Sequence, residues 1–232
     1  MRGKAQNFDS DDADILAAYQ AETNGEYFQA IEYYKKALTR NPEIGIVYKH
    51  IGNVYYRVGL LKEAVEYLEK AVEFLPNYPT ALYELSLAYY RQAKIRQAIE
   101  YMTQVLELDP DFLMANYWLG ILRSHYGHLN RAREQFKYVT MKRPDFTIAF
   151  FHLGVVNLRL GHYEDSVSCF KEILKANPES PSSYSYLGEA YLNLDKKYEA
   201  RMCFKKALDL DADDRKAKNG LAALNDYKEL NF

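Results

Sequence analysis

Small and large apolar residues recur along this chain with a fixed period of 34 residues, which is also the distance from Pro42 to Pro76. In each period the eighth and twentieth positions are small, whereas the twenty-fourth is large and apolar. Because two helices approach closely only where side chains are small, the pattern predicts a packed pair of helices in every period. Glycine predominates at the fifteenth position, where its left-handed conformation suits the end of a helix. The eighth positions are Ala18, Gly52, Ser86, Gly120, Gly154 and Gly188, and the twenty-fourth are Tyr34, Leu68, Met102, Phe136, Phe170 and Phe204.

Prolines mark the end of each period. Five of them recur at this same constant interval and follow the predicted second helices, which a proline cannot continue. They are Pro42, Pro76, Pro110, Pro144 and Pro178. The spacing divides the chain, without insertions, into units 11–44, 45–78, 79–112, 113–146, 147–180 and 181–214. A tail, 1–10, precedes the units, and residues 215–232 after them are predicted to form a capping helix.

The repeated pattern resembles the tetratricopeptide repeat family in all six units, with Leu187, Gly188 and Tyr191 matching its Leu-Gly and Tyr positions. Repeats of that family are about 34 residues long, which is also the interval between the prolines. The resemblance implies an all-α fold, a right-handed superhelical α-solenoid of antiparallel helix hairpins. One hairpin cannot bury its apolar face alone, but stacked neighbours can.

In that family the first helices of successive units line a concave groove. The resemblance therefore implies that the second, fifth, ninth, twelfth and thirteenth positions of each unit face a binding partner. Units 3 to 5 carry an apolar stripe made of Tyr83, Leu87, Tyr117, Ile121, Phe151 and Val155, and beside it lies a ladder of three arginines, Arg57, Arg91 and Arg159. Together they predict that the partner is a protein or peptide segment with apolar anchors and carboxylates. The alternative is that the stripe is packed between neighbouring helices. The candidate groove residues are Lys49, Asn53, Arg57, Tyr83, Leu87, Arg91, Tyr117, Ile121, His125, Phe151, Val155 and Arg159.

Lys49 and Asn53 match the first pair of a five-residue set with which one subclass of the family clamps a C-terminal carboxylate. The next units offer Leu87, Tyr117 and Ile121 where that clamp needs polar or basic residues. A clamp needs convergent donors, and only the first two of its five positions match here. The sequence therefore disfavours binding of chaperone tails.

Units 4 and 5 contain polar residues where the family usually has bulky or aromatic ones. These are Asn116, Arg123 and Asn157. One interpretation is a looser seam, and hence a hinge, between units 3 and 4. The other is that Arg123 and Asn157, one repeat apart, hydrogen-bond to each other or to water, since buried polar groups are generally paired.

Composition narrows the function further. The 232 residues have a formal net charge of −2, which disfavours a general nucleic-acid binder. Cys169 and Cys203 form neither a disulfide framework nor a zinc motif. No apolar stretch is long enough for a signal peptide or a membrane span. We therefore expect a cytoplasmic protein, one that is held at a membrane or organelle only through a partner.

No catalytic motif, cofactor site or metal site is predicted, because the repeats leave no room for a catalytic domain. The sequence predicts a scaffold or adaptor for protein–protein interaction. The alternative is a self-assembling scaffold of the kind that coats bacterial organelles such as magnetosomes. That alternative rests on charge, because unit 1 is acidic and unit 4 is basic, which favours homo-oligomers formed end to side.

Overall fold

The computed structural model describes residues 12–229, and every regular element in that range is an α-helix. Two helices of nearly constant length occupy each period of the sequence, and one further helix follows the last pair. The helices are α1 (Ala13–Thr23), α2 (Tyr27–Arg40), α3 (Gly45–Arg57), α4 (Leu61–Phe74), α5 (Pro79–Arg91), α6 (Ile95–Leu108), α7 (Leu113–His125), α8 (Leu129–Lys142), α9 (Thr147–Leu160), α10 (Tyr163–Ala176), α11 (Pro181–Asn193), α12 (Lys197–Leu210) and α13 (Arg215–Glu229). The predicted all-α fold class of tandem helix hairpins is confirmed.

The turn inside each hairpin depends on the fifteenth position of the period. Glycine there has a positive φ in four of the hairpins, as at Gly161 with a φ of 79°. In the other two the same conformation is imposed on Ala93 and Asp195, with φ of 60° and 57°. The turn is therefore retained where glycine is absent, at the steric cost that a Cβ carries in this region.

The close approach of the two helices depends on the eighth position. A Cβ added to Gly154 would lie 2.8 Å from the ring of Phe170, and one added to Gly188 would lie 2.7 Å from the ring of Phe204. Both rings are fully buried. The small eighth residue and the large twenty-fourth residue are thus one packing unit, as the sequence pattern predicts.

The described chain divides after Ala115 into two compact units. In the first, α1 to α3 share a core that includes Ile31, Tyr34 and Ile51. In the second, α13 packs on α11 and α12, where Ala217 and Leu224 complete the core around Phe204. The last helix therefore covers the apolar face of the sixth hairpin.

Asn157 is hydrogen-bonded, as the interpretation of paired polar groups requires, but its partner is Arg133 and not Arg123. The side chain of Asn157 is 1% exposed and accepts a hydrogen bond of 2.8 Å from Nε of Arg133. Arg133 also pairs with Asp165. Because α8 presents Arg133 directly to this site, the polar group buried in α9 is satisfied within the second compact unit.

Candidate partner-binding surface

The candidate groove residues lie on one face of each of four first helices. They are spaced three or four residues apart along a helix, so their side chains project on the same side. The faces are those of α3 (Ile46, Lys49, Asn53, Arg57), α5 (Thr80, Tyr83, Leu87, Arg91), α7 (Met114, Tyr117, Ile121, His125) and α9 (Ile148, Phe151, Val155, Arg159). In the first compact unit, α3 and α5 contact each other. The second compact unit contains α9 and most of α7.

Each arginine of the ladder contacts the twelfth residue of the preceding hairpin. Nη1 of Arg57 donates to Glu22 at 3.0 Å, Nη1 of Arg91 donates to the backbone oxygen of Tyr56 at 2.9 Å, and Nη1 of Arg159 lies 3.4 Å from Oγ of Ser124. The residue at that twelfth position therefore decides whether the arginine meets a carboxylate, which Glu22 supplies and Tyr56 and Ser124 do not.

Although the contact repeats, only one of the three arginines has its charge compensated by a carboxylate. The charge of Arg57 is compensated by the carboxylate of Glu22. Within residues 12–229, Arg91 and Arg159 have no carboxylate partner, although both side chains are exposed. The guanidinium of Arg91 is instead held 4.7 Å from the centre of the Tyr56 ring. These two cations are available to an anionic group of a partner.

Lys49 and Asn53 are occupied by a carboxylate of the chain itself. Glu84 of α5 places Oε1 3.5 Å from Nζ of Lys49 and 3.4 Å from Nδ2 of Asn53. Burial raises the pKa of Glu84, and the nearby Lys49 opposes that rise only in part. Because Lys49 is 7% exposed and both side chains already contact Glu84, the structure disfavours a carboxylate clamp that begins with this pair.

A polar cavity of about 240 Å³ lies beside the Arg57 contact, lined by Tyr19, Glu22, Thr23, His50 and Arg57. The hydroxyl of Tyr19 lies 2.9 Å from Nε2 of His50. Burial lowers the pKa of His50 to about 3, and the positive charge of Lys49 acts in the same direction, although the carboxylate of Glu22 lies 3.9 Å from Nδ1 of the ring. The ring is therefore neutral at physiological pH, and the polar groups of the cavity largely satisfy one another.

Stability is expected to fall by about 1–2 kcal/mol between pH 7 and pH 5 because of His50. The pKa of His50 in the folded protein lies below its unfolded value, so its contribution is complete above about pH 6.5 and is lost as the pH falls toward 3. Urea unfolding at both pH values measures the loss, and His50→Phe should reduce it. An NMR titration in which the His50 ring protonates near pH 6.5 would contradict this assignment.

Two residues of the predicted stripe are largely buried. Tyr117 and Ile121 are each 8% exposed. The ring of Tyr117 packs against Phe146 and His152 at centroid distances of 5.1 and 5.7 Å. Their burial favours the packing alternative for these two residues.

The face of α9 is more accessible. Phe151 and Val155 are half-buried, while Ile148, one turn earlier, is 46% exposed and Arg159 completes the row. The sequence interpretation did not single out Ile148, although it occupies the same groove-facing second position of its unit as Met114 does. In the second compact unit, α9 thus presents a row of three partly accessible apolar side chains, and the next residue in the row, Arg159, is a cation without a carboxylate partner in the described chain.

Among residues 12–229, no three His, Cys, Asp or Glu side chains are grouped to hold a metal ion. None of the helices in that range has the length and apolar character needed to cross a bilayer.

A tandem array of helix hairpins with accessible first-helix faces defines a class of protein that serves as a protein–protein interaction scaffold. Models of the tetratricopeptide repeat family match residues 43–111, 127–181, 153–215 and 16–44. The chain belongs to the tetratricopeptide repeat family, with six tandem units and a C-terminal capping helix. No curated protein matches the sequence.

Solved structures show the same fold at low sequence identity. YrrB, described as a TPR protein with an unusual peptide-binding site, is 21% identical, with a TM-score of 0.77 over 82% of this chain and 97% of its own. MamA from Desulfovibrio magneticus RS-1 is 22% identical, with a TM-score of 0.69 over 74% and 97%. The C-terminal part of a TPR repeat-containing protein from Cytophaga hutchinsonii is 18% identical, with a TM-score of 0.75 over 92% and 85%.

Proposed function

We propose that this protein is a non-enzymatic scaffold or adaptor that binds a segment of a partner protein along the first-helix faces of its hairpins. The observation that carries the proposal is the pair of uncompensated arginines, Arg91 and Arg159, each at the end of a row of apolar side chains. A cytoplasmic location, or one at a membrane or organelle through the partner, is part of the proposal. Both cysteines are free thiols, which suits a reducing compartment.

The chemistry of these faces specifies the segment. Ile148, Phe151 and Val155 can bury apolar side chains of a partner, because each leaves part of its surface accessible. Arg159 can then form charge-assisted hydrogen bonds with a carboxylate placed next to those anchors. The α5 face repeats the arrangement with Tyr83, Leu87 and Arg91, while Lys49 and Arg57 already pair with internal carboxylates.

A random peptide library displayed on phage, selected against the whole protein, tests the proposal. We expect the selected peptides to combine apolar residues with aspartate or glutamate. Ile148→Ser and Arg159→Ala should each weaken binding of such a peptide by about tenfold or more, as loss of an apolar anchor or a charge-assisted hydrogen bond implies. Fluorescence anisotropy with the labelled peptide gives the dissociation constants.

Lys137→Ala is the matched control, since Lys137 is an exposed cation on the second helix α8. It should leave the dissociation constant unchanged. If Lys137→Ala and Arg159→Ala weaken binding equally, attraction between the peptide and the basic second half would account for the result. If no peptide is selected above background, the proposal is wrong.

Self-assembly is a second candidate, favoured by the charge distribution. Residues 12–115 carry 15 acidic and 10 basic side chains, a net charge of −5, whereas residues 116–229 carry 15 and 18, a net charge of +3. Opposite charges on the two halves favour contact between the acidic half of one copy and the basic half of another. Such a contact could build the scaffold that coats an organelle. Light scattering would then show oligomers at low salt that dissociate at high salt, and a monomer at low salt and high concentration would exclude it.

A further inference from the structure

The outer face of α1 is the packing face of the repeat, but no hairpin precedes it in the described chain. In α3, α5, α7, α9, α11 and α13 the third and tenth positions of the repeat are buried. In α1 the same two positions hold Ala13 and Gln20, and both are exposed. Leu16, which lies between them, is 51% exposed. The buried residues are Val47, Ala81, Ala115, Ala149, Ser183 and Ala217 at the third position, and Val54, Ala88, Leu122, Val156, Ala190 and Leu224 at the tenth.

Leu16 occupies the sixth position of its unit, which meets a large ring in later hairpins. Tyr34 stacks on His50 at a centroid distance of 5.7 Å, and Phe136 stacks on His152 at 5.4 Å. In both cases the covering ring belongs to residues that precede the covered helix in the sequence. The repeat therefore indicates that a ring located before α1 would cover Leu16 in the same manner.

Phe8 is the nearest apolar residue before α1, and it lies within reach of Leu16. It belongs to residues 1–11, which precede the described part of the chain. Four extended residues span up to about 13 Å, and Leu16 lies only about 6 Å along the helix from its N-cap, Asp12. Residues 9–11 are two aspartates and a serine, types that favour the turn such a contact needs. In a hydrophobic staple, an apolar residue before the N-cap likewise packs on the fourth helical residue, which here is Leu16.

A second copy of the chain fits this face less well. In the last hairpin α13 occupies the place of a further first helix, and its sixth residue is Gly220. Because a Cβ at Gly220 would collide with the ring of Phe204, the α1 helix of another copy cannot replace α13 with Leu16 in that position. A face of three residues is also far smaller than the roughly 20–30 residues that each partner of a stable complex supplies. A contact within one chain needs much less area, since the segment is tethered to the helix.

We infer that residues 1–11 dock on the outer face of α1 of the same chain, with the ring of Phe8 packed on Leu16. The contact removes apolar surface of both side chains from water. Phe8 thereby does for the first hairpin what the ring of Tyr34 does for the second. The inference goes beyond the proposed function and does not depend on it, because no candidate groove residue takes part.

Hydrogen exchange of the whole protein, followed by mass spectrometry, tests this contact. Phe8→Ser and Leu16→Ala should each raise the exchange rate of the α1 amides by about fivefold or more, as loss of a partly buried apolar contact implies. When Leu16→Ala is already present, Phe8→Ser should have no further effect. Asn7→Ser is the matched control, because it changes a polar neighbour in the same segment, and it should leave the exchange of α1 unchanged.

Nuclear Overhauser effects identify which chain supplies the ring. We expect an effect between the Phe8 ring and the Leu16 methyl groups when every molecule carries both labels. A mixture of molecules labelled only in phenylalanine with molecules labelled only in leucine methyl groups should show none. An effect in that mixture would place the segment on a second copy and would overturn docking within one chain.

Independent effects of the two substitutions would overturn the contact as well. If Phe8→Ser raises the exchange of α1 equally with and without Leu16→Ala, or does not raise it at all, Phe8 does not cover Leu16. Binding of the selected peptides along α9 should be the same in Phe8→Ser as in the wild type. Failure of the contact would therefore leave the proposed function standing, and loss of peptide binding would leave the contact standing.

Discussion

Replacing Phe170 with alanine is expected to lower the free energy of unfolding by about 3–5 kcal/mol. Phe170 is completely buried, and its ring contacts Phe151 and Tyr186 at centroid distances of 5.9 and 5.4 Å. Its other side lies on Gly154, where the backbone of α9 has no side chain to move into the space. The substitution thus removes apolar contacts and leaves a cavity that the helices cannot close.

Urea unfolding followed by circular dichroism measures this loss. Phe28→Ala is the control, because Phe28 is also a phenylalanine on a second helix but is 65% exposed, and it should change stability by no more than about 0.5 kcal/mol. A loss below about 1 kcal/mol for Phe170→Ala would mean that α9 and α10 collapse onto the vacated space, contrary to the rigid packing unit described above.

Removing Glu84 alone is expected to destabilise the protein by about 3–5 kcal/mol, whereas removing both members of its ion pair should be nearly neutral or stabilising. Glu84→Leu leaves the ammonium of Lys49 buried without its carboxylate. The double variant Lys49→Met, Glu84→Leu places two apolar side chains in the same space. It avoids the desolvation of two charges, of which the raised pKa of Glu84 is a sign.

A double-mutant cycle from urea unfolding isolates the coupling between the two side chains. Glu66 and Lys70 provide the control, as they form an exposed pair at 3.1 Å on α4 and should contribute only about 0.3–0.5 kcal/mol. If Glu84→Leu alone costs less than about 1 kcal/mol, Lys49 must reach solvent when its partner is removed. That result would contradict the buried pair.

The helices, turns and core were predictable from the sequence because they depend on local and periodic features. Gly154 and Phe170 belong to the two helices of one hairpin, and the same small and large pair recurs in phase along the chain. A constant repeat length with proline after each second helix permits few arrangements other than stacked hairpins. Even the fifteenth-position turn followed the pattern where glycine is missing, at Ala93 and Asp195.

The accessible surface was less predictable, because it depends on which side chains of adjacent hairpins meet. Tyr117 and Phe151 occupy the same position of the repeat, but Tyr117 is 8% exposed whereas Phe151 is half-buried. The identity of the neighbouring residue also decides whether the charge of each arginine in the ladder is compensated by a carboxylate. Arg57 meets Glu22, while Arg91 meets only a backbone oxygen and an aromatic ring.

The sequence by itself thus determined the family and the all-α fold of tandem helix hairpins. These follow from residue size and turn conformation, which repeat with a fixed period. Only the tertiary structure decided that Glu84 occupies Lys49 and Asn53, and that Arg91 and Arg159 have no carboxylate partner in the described part of the chain. Hydrogen bonds and ion pairs require two side chains about 3 Å apart, and a distance between hairpins is set by packing rather than by spacing along the chain.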